Sequence, residues 1–246
     1  MLLNRIRNLF SSKSNKLDIS NKILVFGDSH SRAFALNPNF LPIFIGAGKL
    51  NNFINEENAG RVQNSVIKAC NELKPKDVIL CFGEPDTRYF LGLGWYPWEN
   101  KREFTLEDYK PSVLESIERY KAFLEKLKEL ISGTIMVFNV TPSIRTEQNV
   151  IVDFFNISMQ KACSEIEVLF IDVNNDIYSK DSDIIKQEYF SDTVHLNNRI
   201  QILAEDFLLK NKIIESRGYQ EDAAFEHSDI QSKFKYDKRF GCYVLK

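Results

Sequence analysis

Residues 23–34 constrain this chain most. The apolar run Ile23-Leu24-Val25-Phe26 enters the turn Gly27-Asp28-Ser29, and helix-compatible residues follow from His30 to Phe34. A continuous apolar run marks a parallel strand covered by helices on both faces. The glycine permits a tight reversal, and Ser29 then falls at the start of the next helix. There it lies near unpaired backbone N–H groups and the positive end of a helix dipole. That position suits the stabilisation of negative charge on a reacting oxygen. Asp28 and Ser29 are also good capping residues, so the turn taken alone reads first as a helix cap.

The same strand-then-turn pattern recurs along the chain. Apolar runs at 22–26, 41–45, 77–82, 134–140 and 168–173 read as strands. Helical spacing appears at 62–73, 106–131, 150–164 and 198–211. Such alternation predicts an α/β fold, a parallel sheet with helices on both faces, and ligands bound at the carboxyl ends of the strands. With 246 residues the chain suits one large domain with extensions. The expected division is a leader at 1–21, a domain at 22–212 and a C-terminal extension at 213–246 packed against it. The net charge of −2 gives no basis for non-specific nucleic-acid binding, and no apolar run approaches the ~20 residues that span a bilayer. Leu2, Leu3, Ile6, Leu9 and Phe10 alternate with Arg5, Arg7 and Lys13 without the pattern of a signal peptide. The leader is read as frayed or packed, with contact to an anionic membrane surface as the alternative. Cys70, Cys81, Cys163 and Cys242 show no metal-ligand spacing; unlinked, buried thiols in a cytoplasmic protein are expected. The acidic residues between Asp172 and Asp183 lack the glycine and glutamate of a calcium loop, so no metal and no cofactor is assigned.

In a doubly wound sheet the strand ends share one edge, so Ser29 can meet His195 although 166 positions separate them. A serine hydroxyl becomes a useful nucleophile when a histidine removes its proton. That histidine needs a carboxylate to fix its tautomer and to stabilise the imidazolium. Asp192 lies three residues before His195, close enough for a tight turn to place both at one site. Backbone N–H groups at Ser29 and Gly46 are candidates for holding the oxyanion.

Gly27-Asp28-Ser29 near the N-terminus, Gly46 after the second strand, Gly83-x-x-Asp86 after the third and Asp192-x-x-His195 near the end resemble the blocks of the SGNH/GDSL hydrolases. The resemblance spans roughly residues 22–210. It implies a flavodoxin-like three-layer α/β/α sandwich with a five-stranded parallel sheet, and a metal-free serine esterase or acyltransferase mechanism. It also implies Ser29 as nucleophile, His195 as base, Asp192 as its orienting carboxylate and Gly46 as an oxyanion donor. Where the family's third block carries an oxyanion-donating asparagine, this chain has Pro85, which offers no donor, not even a backbone N–H. The variant Gly-Asp-Ser-His with Gly-Glu-x-Asp-x-Arg resembles a subgroup met beside bacterial surface-polysaccharide enzymes. That implies a glycan or small-molecule ester, foremost an O-acetyl carbohydrate, as substrate. The alternative is a weakly active or inactive module that binds an anionic glycan or phosphosugar.

The remaining candidates stay open between two roles. Arg88 either reaches an anion or oxyanion, or pairs with Glu84 or Asp86. His30 contacts substrate or is polar surface. Trp95 and Trp98 stack on sugar rings or, the preferred reading, pack as a lid or subunit contact. Oligomeric state is not legible in the sequence.

Overall fold

A computed structural model of the chain describes residues 19, 21–46, 50, 59–88, 105–144, 149–179, 184–221, 225, 227–239 and 242–245, with backbone alone at 59–61, 88, 227 and 228. Strand β1 (Ile23–Gly27) is buried along its whole length and leads into a 3-10 turn over Ser29–Phe34. There follow β2 (Phe40–Phe44), α1 (Ala59–Leu73), β3 (Val78–Cys81), α2 (Glu84–Arg88) and α3 (Leu106–Lys128). Next are β4 (Ile135–Phe138), α4 (Asn149–Glu165), β5 (Leu169–Ile171) and α5 (Asn174–Ile177). A two-stranded ribbon, β6 (Tyr178–Ser179) and β7 (Ile184–Ile185), precedes α6 (Ile200–Lys210), α7 (His227–Gln231), β8 (Phe234–Asp237) and β9 (Cys242–Leu245).

The main sheet runs β5-β4-β3-β1-β2-β9-β8. Its first five strands are mutually parallel, in the doubly wound order 2-1-3-4-5 when read from β2. The expected five-stranded sheet is extended by two strands. β9 pairs antiparallel with β2, and β8 with β9, so the C-terminal segment adds a hairpin to the β2 edge. The physical reason is edge protection: an uncovered β2 would present a row of unpaired backbone groups.

Alternate residues of each strand face opposite layers. Leu24 and Phe26 pack with Val66 of α1, Tyr120 of α3 and Phe155 of α4; Ile23 and Val25 pack with Phe34 and with Ile200 and Leu208 of α6. The sandwich therefore has three layers, with its core on both sheet faces. Among the described residues no helix is long and apolar enough to cross a membrane. All four cysteines are free and buried.

Candidate active site

The register fixes where the strand ends fall. Gly27 pairs with Phe44 of β2 and with Cys81 of β3, so Ser29, Gly46 and Gly83 each lie two residues beyond a common rung. β1 and β3 also bracket the point where strand order reverses, the place where open α/β sheets bind ligands. A Cβ on Gly27 would stand 2.3 Å from the Cys81 carbonyl oxygen, so only glycine permits this approach of β1 to β3. Gly46 has φ +98, a conformation that L side chains rarely adopt, and none of the described residues beyond its chain neighbours comes within 4 Å of where its Cβ would stand. The Gly46 constraint is local to its own backbone, whereas that on Gly27 comes from the neighbouring strand.

Asp28 is the N-cap of the 3-10 turn: its Oδ1 accepts the His30 backbone N–H at 2.9 Å. The same oxygen meets His30 Nδ1 at 3.1 Å, and Asp28 is only 1% exposed. Ser29 is half-buried at the start of the turn. His30 is buried, which corrects its reading as polar surface. Its ring is enclosed because Asp28 and the Val194 carbonyl, 3.0 Å from Nε2, satisfy both nitrogens away from solvent.

The second half of the site is the loop before α6. A bridge between Phe190 and Leu196 and the Ser191 N–H to His195 carbonyl bond (2.8 Å) close a tight turn. Asp192 organises it. Its Oδ1 accepts the backbone N–H groups of Val194 and His195 at 2.8 and 2.7 Å, and its Oδ2 faces His195 Nδ1 at 2.7 Å. Desolvation pushes the Asp192 carboxyl up, but the His195 backbone and ring and the Val194 N–H outweigh it and hold the pKa down at about 2. An ionised Asp192 makes Nδ1 the protonated nitrogen of a neutral His195 and leaves Nε2 as the basic one. The His195 ring stacks on His30, with centroids 5.7 Å apart, which joins this loop to the Ser29 turn. Ser143 Oγ and the Ile144 N–H both donate to the Thr193 carbonyl, bracing the loop from behind.

The third block forms the short helix α2, with Pro85 in its first turn, where a missing N–H is tolerated. Glu84 is buried, and its charge acts on His30. Asp86, 1% exposed, accepts the Leu50 N–H through Oδ2 at 2.8 Å, tying this block to the chain that follows Gly46. The Arg88 side chain, Trp95 and Trp98 lie outside the described residues. Behind the turn a cavity of about 10 Å³, close to the room one water needs, is walled by Asp28, His30, Glu84, Asn139 and Leu196. Among the described residues no group of three His, Cys, Asp or Glu side chains is placed to hold a metal.

No protein-family model matches the chain. No curated protein matches it either. Solved structures do. A GDSL-like lipase from Bacteroides thetaiotaomicron superposes with a TM-score of 0.54 at 10% identity, covering 79% of this chain and 89% of that one. Axe2, an acetylxylan esterase from Geobacillus stearothermophilus, gives 0.53 at 14% identity, covering 80% and 95%. Structures of catalytic mutants of Axe2 replace a serine, an aspartate and a histidine by alanine, the aspartate three positions before the histidine. The fold of this chain is the one these ester hydrolases share, as the resemblance to the SGNH/GDSL hydrolases implied.

Proposed function

We propose that this protein is a serine esterase or acyltransferase that acts on an O-acyl carbohydrate, foremost an O-acetyl ester, with Ser29, His195 and Asp192 as its catalytic residues. The carrying observation is the His195–Asp192 pair at 2.7 Å, set on the sheet edge where β1 delivers Ser29 and joined to that turn by the His30 ring. The Axe2 catalytic residues, a serine and an Asp-x-x-His pair on the same fold, support the assignment.

In this reading His195 Nε2 takes the Ser29 hydroxyl proton as Oγ attacks the ester carbonyl. Asp192 holds Nδ1–H and stabilises the imidazolium that forms. The N–H groups of Ser29 and Gly46, two residues beyond the same rung, receive the oxyanion. Collapse of the tetrahedral intermediate transfers the proton from His195 to the leaving sugar oxygen and leaves an acyl group on Ser29. Water, or a second sugar hydroxyl, then attacks that acyl group with His195 as base. Pro85 supplies no donor, so the donor count at the oxyanion is smaller than in the family pattern. One missing donor lowers rates by roughly 10²–10³.

Pro85 also favours a second reading, a module that binds an anionic glycan with little turnover. Steady-state hydrolysis of p-nitrophenyl acetate and of acetylated xylo-oligosaccharides separates the two. Esterase chemistry requires that Ser29→Ala and His195→Ala each lower kcat by at least about 10³, and that Asp192→Asn lower it by up to about 10⁴. Wild-type rates equal to those of Ser29→Ala, with sugar phosphate binding seen by calorimetry, would establish the binding module instead.

A further inference from the structure

The His30 ring is not used by the triad, yet it is buried and both its nitrogens face acceptors. Nδ1 faces Asp28 Oδ1 at 3.1 Å and Nε2 faces the Val194 carbonyl at 3.0 Å. A carboxylate and a carbonyl oxygen only accept, whereas a neutral imidazole has one donor. Both contacts become hydrogen bonds only when both ring nitrogens carry protons. The imidazolium also places a positive charge among Asp28, Glu84 and the small cavity between them, where the Asp28 Oδ2 atom is buried and has no hydrogen-bond partner among the described residues.

We propose that His30 is a protonated latch: as an imidazolium it clamps the Ser29 turn to the 191–196 loop and, from 5.7 Å, keeps the stacked His195 ring neutral and ready to act as base. The second half of this statement rests on the proposed role of His195. Facing His30 are Asp28 on its own turn, Cys81 at the end of β3, Glu84 in α2, and His195 with its partner Asp192 on the loop before α6. Arg32 on the same turn and Tyr120 of α3 also feel the Asp28 charge. Burial works against the charged ring, but the Asp28 hydrogen bond and charge, the Glu84 charge and the Val194 carbonyl outweigh it and raise the pKa to about 9. A fixed positive charge beside His195 disfavours a second imidazolium. It therefore opposes the rise in basicity that Asp192 brings, and His195 stays unprotonated further into the acid range. His30 is thus a positioning residue that works through its neighbour.

The chain contains three histidines, His30, His195 and His227, so ring nitrogen NMR can follow each one. In the wild-type protein His30 should show two protonated ring nitrogens throughout pH 6–8. His30→Gln, which keeps a donor but loses the charge, should raise the His195 pKa by about one unit. The acid limb of kcat/KM should move the same way. A neutral His30 ring at pH 7 overturns the proposal, as does a His195 titration unchanged in His30→Gln. Should that variant fail to fold, the wild-type ring signals still decide. The NMR needs no turnover: an inactive protein with a protonated His30 refutes the esterase and keeps the clamp, and an active one with a neutral His30 does the reverse.

Discussion

At the scale of single residues, His30 and Asp192 give the protein opposite responses to pH. The folded-state pKa of His30 is raised from 6.5 to about 9. Its contribution is therefore complete below pH 6.5 and disappears as the pH climbs through 9. At about 1.4 kcal/mol per unit this is on the order of 3 kcal/mol. Thermal unfolding should show a falling Tm between pH 7 and 9, and a flat profile in His30→Gln. Asp192 is depressed from 3.8 to about 2, so its stabilisation is present above 3.8 and is lost as the pH falls through 2. The place of Ser29 beyond β1 and the Asp192–His195 contact were legible because a short spacing and a strand-end position are local features of the sequence. The burial of His30 was not, because the Val194 carbonyl that encloses it lies 164 residues away.

At the scale of elements, apolar runs and helical periodicity located the five parallel strands and the long helices, since burial on one face or both writes itself into spacing. The C-terminal hairpin escaped because its strands are half-exposed and carry charge, as in Phe234-Lys235-Tyr236-Asp237. A period-2 signal was nonetheless there on β9, where Cys242 and Val244 are buried, whereas on β8 Phe234 alone is buried. The hairpin also reaches the Ser29 turn. Buried Arg32 lies over the Phe44 ring at 3.8 Å and within 5.9 Å of Phe234. Phe234→Ala should destabilise the fold by about 3 kcal/mol in urea titration, since it empties the contact among Ala35, Ile230 and Phe44. A change below about 0.5 kcal/mol would mean that the hairpin is only surface cover.

For the molecule as a whole, a buried polar network on α6 ties the segment before β2 and the segment after α6 together, and reaches the far end of the Ser29 turn. Glu205 of α6 is fully buried and accepts from Asn37 Nδ2, Asn39 Nδ2, the Gly218 N–H and the Tyr219 N–H, at 2.7–3.1 Å. Beside it Gln201 donates to the Ala33 and Ala35 carbonyls. Glu205→Leu leaves those donors without their acceptor and should cost at least about 2 kcal/mol of stability, with kcat unchanged in the folded fraction. A loss of kcat at unchanged stability would show that the network also sets the position of the Ser29 turn through Gln201. The catalytic assignment itself is tested most directly by labelling the folded protein with a serine-directed fluorophosphonate. Wild type should take up one label on Ser29, while Ser29→Ala takes up none and His195→Ala labels far more slowly. Equal labelling of wild type and Ser29→Ala, or no labelling of either, would contradict a nucleophilic Ser29.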